Sequence, residues 1–117
     1  MARHLETGQR GETLAAEHLT AQGYEIVARN YRAGRGEIDL IVRRGDWLVF
    51  VEVKTRTNLA YGYPEAAVSE RKAALVVATA EAYVFEVDWK KHIRFDVVAV
   101  VFSPAGTQLE HFEDAFY

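Results

Sequence analysis

The chain has 117 residues, half of them apolar and 26% charged, and no cysteine. That suffices for one ordinary globular domain, and it excludes a disulfide scaffold, a thiolate metal site and a cysteine nucleophile. The net charge of −3 does not mark a nucleic-acid binder, yet residues 1–60 carry 9 basic against 8 acidic side chains while residues 61–117 carry 5 against 9. No apolar run is long enough to span a bilayer and no apolar leader opens the chain, so the expected location is the cytoplasm, with no membrane partner.

No repeat or linker-like composition divides the chain, which reads as a single domain over residues 1–117. A first helix is predicted from Thr7 to Gln22, stopped by Gly23, with Leu5, Gly8, Glu12, Ala15, Ala16 and Leu19 on one stripe. Tyr24 to Arg29 reads as a short strand. Arg29, Arg32 and Arg35 then fall in a stretch free of acids; taken alone it reads first as a solvated arginine-rich loop, and otherwise as a local positive surface for phosphate. Glu37–Arg43 and Trp47–Thr55 are predicted strands around a Gly45-Asp46 turn. A longer loop follows over Arg56–Val68. Ser69 caps a second helix to about Phe85, with Leu75, Ala78, Ala82 and Phe85 at helical spacing. Ile93–Phe102 is a long apolar strand, and Gln108–Phe112 a last one. The order is helix, three strands, helix, two strands. The passage from Trp47–Thr55 through the second helix to Ile93–Phe102 suits a right-handed crossover, giving an α/β domain with a central mixed sheet.

The hairpin carries the chemistry. A two-residue turn at Gly45-Asp46 places Leu40 opposite Val51, Val42 opposite Val49 and Ile38 opposite Val53, one wholly apolar face. The other face then pairs Ile41 with Phe50, Asp39 with Glu52 and Glu37 with Lys54. Directly opposed side chains have Cβ atoms roughly 5 Å apart, and like charges there destabilise a sheet. A divalent cation converts that repulsion into coordination, since magnesium is commonly held by one or two carboxylates with water and substrate phosphate. Lys54 follows Glu52 at a same-face spacing. Glu12, within the stripe of the first helix, either reaches this pair as a third carboxylate or sits at the stripe's edge with an arginine partner. The alternative for the hairpin is a solvated face on which Lys54 neutralises its acidic neighbours. Against it, Val49-Phe50-Val51-Glu52-Val53 is too apolar for an exposed ribbon, so Glu52 is expected to be at least partly buried.

Gly36-Glu37-Ile38-Asp39-Leu40-Ile41 followed by Val49-Phe50-Val51-Glu52-Val53-Lys54-Thr55-Arg56 resembles the bacterial YraN family of uncharacterised proteins. That family belongs to the restriction-endonuclease-like superfamily, with the signature PD-(D/E)XK, and is similar to archaeal Holliday-junction resolvases. Gly11-Glu12, Gly23-Tyr24, Arg29-Asn30, Pro64-Glu65-Ala66-Ala67-Val68, Lys72 and Arg94-Phe95-Asp96-Val97-Val98 extend the resemblance over nearly the whole chain. It implies that Asp39 is the signature aspartate, Glu52 the second acidic ligand, Lys54 the catalytic lysine and Glu12 the helix acid completing the metal site. It further implies Mg2+ or Mn2+ as cofactor, DNA phosphodiesters as substrate, branched structures among them, and a homodimer as the assembly of the resolvase relatives. Ile38 stands where the signature has proline, and Lys72 where some nucleases of the superfamily have glutamine. Arg29, Arg32, Arg35, Arg56 and Lys72 are the candidate nucleic-acid contacts. Two other readings stay open: a nucleic-acid-binding module of the same fold without hydrolysis, and a domain whose acidic C-terminal half recruits a basic protein.

His4, His18, His92 and His111 show no metal-ligand spacing. Trp47 and Trp89 read as rim or core packing, and Tyr61 and Tyr63 as anchors of the long loop or platforms for unpaired bases. Asp96, inside an apolar strand on the face of Val98 and Val100, reads as a buried partner for an arginine or a backbone amide rather than as a ligand.

Overall fold

The computed structural model describes residues 2–57 and 68–116, with the backbone alone for residues 2–6. Its elements follow the expected order: α1 Ala2–Ala21, β1 Glu25–Ala33, β2 Gly36–Arg44, β3 Trp47–Arg56, α2 Glu70–Val87, β4 His92–Ser103 and β5 Gly106–Phe112. The differences lie at element ends. α1 starts at Ala2 rather than Thr7. β1 runs on to Ala33 rather than stopping at Arg29, because its pairing with β2 continues through Tyr31–Ile38 and Arg32–Glu37 to Ala33–Gly36, past a register shift between Ile26 and Ala28. Tyr61, Tyr63 and Pro64 of the long loop lie outside the described residues.

The strands form one five-stranded mixed sheet in the order β1-β2-β3-β4-β5. Neighbours are antiparallel except β3 and β4, which are parallel and joined through α2, as parallel neighbours must be. Gly45, in the left-handed region (φ 60°), and Asp46 make the two-residue turn after the Arg44–Trp47 pair. Ser69 caps α2 by accepting the Lys72 N–H at 3.2 Å, and Asp88 ends it in the left-handed conformation.

The central strands are apolar on both faces because a helix covers each one. On one side Ala15, Ala16 and Leu19 of α1 pack with Tyr24 on Leu40, Val42, Val49, Val51, Val98 and Val100. On the other, Val76, Ala80 and Tyr83 of α2 pack on Ile38, Ile41, Leu48, Phe50 and Phe95. The stripe expected for α2 is therefore wrong. Leu75 and Phe85 face outward, Phe85 with 89% of its surface exposed, while Ala73, Val76, Thr79, Ala80 and Tyr83 are buried.

Asp96 is fully buried on β4 and fully engaged. It accepts two hydrogen bonds from Arg94 at 2.8 Å each and the Asp114 N–H at 3.0 Å, and lies 2.7 Å from His111 Nε2. Burial alone pushes its carboxyl up, but the bonds from His111, Arg94 and Asp114 overcome this and hold it below the usual range. The expectation of a structural partner for an arginine and a backbone amide holds, and the network ties β5 and the segment after it to β4.

Candidate metal and nucleic-acid site

The hairpin register derived from the turn is present from Arg44–Trp47 to Leu40–Val51 and ends there. The expected pairs Asp39–Glu52, Ile38–Val53 and Glu37–Lys54 are not part of the ladder. Beyond Leu40, β2 stays paired with β1 and β3 with β4, so the two middle strands separate. Two observations give the cause. Ile38 packs on the α2 side although Leu40, two residues on, packs on the α1 side, so the alternation of faces slips at Asp39. The Asp39 carboxylate then takes the place of a ladder carbonyl, accepting the Val53 N–H at 2.8 Å.

Two glycines let the helices close on this end of the sheet. A Cβ on Gly36 would strike the Thr79 hydroxyl and lie 2.9 Å from the Leu75 carbonyl, and one on Gly11 would strike the Thr55 side chain. α2 thereby sits flush on the start of β2 and α1 on the end of β3.

The separated strands line a cleft of about 300 Å³ with Arg35, Glu37, Asp39, Glu52, Ser69, Arg71 and Lys72. Glu52 is only 3% exposed, so its expected burial is correct. One of its oxygens, Oε2, lies 3.1 Å from Lys72 Nζ; the other, Oε1, is buried without a hydrogen-bond partner among the described residues. Burial first, and then the charge of Asp39, pushes the Glu52 carboxyl up to about 7, with Lys72 opposing. Asp39 is also raised by burial, against the Val53 N–H and Lys72. Lys72 holds its proton more tightly than a free lysine: burial works against it, but Glu52 and Asp39 outweigh burial.

Glu12 is half-buried on α1. Burial and the charges of Asp39 and Glu37 raise its carboxyl, while a hydrogen bond to Asn30 and the charge of Arg29 lower it. It thus senses Asp39 and has its own partners. Among the described residues no group of three or more His, Asp or Glu side chains could hold a metal ion unaided. The Asp39–Glu52–Glu12 set is therefore not gathered as a ready ligand shell. Asp39 and Glu52 remain as a pair of hard oxygen donors, one with a buried oxygen lacking a partner. An oxygen left so costs about 1–3 kcal/mol, and a cation bound to it would remove that cost. The pair fits Mg2+ or Mn2+ completed by water and phosphate rather than a closed protein cage.

The other candidates divide. Arg35 and Lys72 line the cleft. Arg29 and Arg32 are exposed on β1, with Arg32 in a 2.7 Å ion pair with Glu37, and Arg56 is exposed at the end of β3. Lys54 is half-buried on β3 and is not among the described residues lining the cleft. Lys72, from the first turn of α2, touches Glu52. Arg71 was missed; the only signal for it was its place beside Lys72 just after the Ser69 cap.

A sequence profile of the uncharacterised protein family UPF0102 matches residues 11–100, which contain Glu12, Asp39, Glu52, Lys54 and Lys72. The chain belongs to this family. Family members from Rhodococcus opacus (47% identical, over 99% of this chain and 100% of its own), Dictyoglomus turgidum (43%, over 95% and 97%) and Christiangramia forsetii (40%, over 100% and 98%) are similar along essentially their whole lengths. UPF0102 is the YraN family of the resemblance. No helix among the described residues is long and apolar enough to cross a membrane.

Proposed function

We propose that this UPF0102 protein is a restriction-endonuclease-like, metal-dependent nuclease acting on DNA phosphodiesters. The observation that carries the reading is the cleft between β2 and β3. It sets the buried carboxylate of Glu52, one oxygen of it without a hydrogen-bond partner among the described residues, and the half-buried Asp39 beneath a rim of Arg35, Arg71 and Lys72. Acids below and bases above suit a ligand that brings a cation and a phosphate together. A solvated acidic face, the competing reading of the hairpin, has no need to bury Glu52.

In this reading Asp39 and Glu52 hold Mg2+ or Mn2+, which when bound supplies Lewis-acid polarisation of the scissile phosphate and a lowered pKa for water. Asp39 is kept in place by the Val53 N–H. Arg35 and Arg71 receive the phosphodiester backbone, Arg as a fork suited to two phosphate oxygens. The resemblance assigns the catalytic lysine to Lys54, half-buried on β3 two residues after Glu52.

The test is a cleavage screen over single-stranded, duplex, flap and four-way DNA in Mg2+, Mn2+ or EDTA, with Asp39→Asn as control. Cleavage is expected only with metal and only in wild type. Arg35→Ala with Arg71→Ala should weaken DNA binding and flatten its salt dependence by about two phosphate contacts. Equal binding in metal and EDTA with no cleavage of any substrate would overturn the nuclease and leave a binding module.

A further inference from the structure

Lys72 is a surface residue whose charge points inward. Its side chain is 60% exposed, yet its ammonium lies 3.1 Å from a carboxylate whose side chain is 4% exposed. It is anchored on the first turn of α2, where the Ser69 hydroxyl accepts its backbone N–H. The charges of the cleft floor make its position informative. Asp39 and Glu52 ionised carry two negative charges, and Lys72 returns one, while the third acid of the cleft, Glu37, is matched by its own ion pair with Arg32. A divalent cation would neutralise the pair alone, and with Lys72 still in place the floor would become positive. An arriving phosphodiester, with one negative charge, restores neutrality with Lys72 retained.

We propose that Lys72 is an exchangeable counter-cation, bound to Glu52 in the free protein, displaced by a divalent metal and taken up by the substrate phosphodiester. The inference rests on the reading above that Asp39 and Glu52 hold the metal, and deepens it by making metal and substrate binding interdependent. Lys72 is in this sense a positioning residue for the empty site and a phosphate ligand for the filled one. The neighbouring Arg71 and Arg35 provide the positive rim on which the swung ammonium and the phosphate meet. Linkage requires the reciprocal effect: DNA that draws Lys72 away from Glu52 raises metal affinity, and metal raises DNA affinity by the same factor.

The experiment is calorimetric titration of Mn2+ into the full chain and into Lys72→Met and Lys72→Arg from pH 8 upward, comparing the affinities where they no longer change with pH, because removing Lys72 also removes a charge that lowers the Glu52 carboxyl. A second titration includes a short phosphorothioate-linked DNA duplex, which resists hydrolysis and keeps the backbone charge. Lys72→Met is expected to bind Mn2+ roughly two- to fivefold tighter than wild type without DNA, the worth of one partly exposed ion pair, and Lys72→Arg to stay near wild type. Added DNA is expected to tighten Mn2+ binding more in wild type than in Lys72→Met. Equal or weaker binding in Lys72→Met, or equal enhancement by DNA in both proteins, overturns the exchange and leaves the metal site standing. Absence of Mn2+ binding in wild type and Lys72→Met alike overturns both.

Discussion

Glu52→Gln should make the protein more stable above neutral pH and leave it unchanged in mild acid. The carboxyl titrates near 7 in the folded chain against 4.5 for an ordinary glutamate. A raised acid means that the folded state binds more protons than the unfolded state between these values. Stability from this group is thus fully present below 4.5 and is lost as pH rises through 7. The difference corresponds to about 3 kcal/mol at pH 8. Glutamine keeps the shape without the charge, and because the value of about 7 already includes the Lys72 ion pair, the variant should gain about 3 kcal/mol there. The assay is urea unfolding of wild type and variant in EDTA at pH 8 and pH 4.5, the variant's midpoint being higher at the first and equal at the second. A variant less stable than wild type at pH 8, or a gap independent of pH, would refute the claim that Glu52 is held ionised at a cost in stability.

Three further outcomes follow from the packing. Gly36→Ala should cost about 1–3 kcal/mol in urea unfolding, since its methyl meets the Thr79 hydroxyl and the Leu75 carbonyl rather than a yielding side chain. Asp96→Asn should cost about 3–5 kcal/mol at pH 7 by unpairing the buried side of Arg94. That loss should shrink as pH falls below 3.8, because the lowered Asp96 stabilises the fold above that value and ceases to as it protonates. Phe85→Ala should change stability by less than about 0.5 kcal/mol whereas Val76→Ala costs about 1–3 kcal/mol, which distinguishes the observed buried face of α2 from the one its periodicity suggested.

The order of elements was legible because its signals are local: Gly23 ends α1, Gly45-Asp46 permits only a tight turn, and Ser69 stands at the start of an apolar helical run. The hairpin register followed from the turn and held over Leu40–Val51. Asp39 and Glu52 stood out because acids interrupting apolar strands need a reason. The break at Asp39 was not legible, since it depends on α1 and α2 closing on opposite faces and on a side chain replacing a carbonyl in the ladder. The face of α2 was misread because Leu75, Val76, Val77 and Ala78 run apolar around the whole turn, so spacing alone selects no stripe. Lys72 reaches Glu52 only through tertiary placement of α2, and no spacing rule joins the two.

The central claim is that Asp39 and Glu52 together bind a divalent cation. It is tested most directly by titrating Mg2+ into the protein at pH 8 while following the side-chain carboxyl carbon signals of Asp39 and Glu52 by NMR, with Asp39→Asn and Glu52→Gln alongside. The account predicts saturable shifts of both carboxyls in wild type, with saturable binding lost in both variants. Signals that stay unmoved with Mg2+ alone and again with a four-way DNA junction present would contradict it.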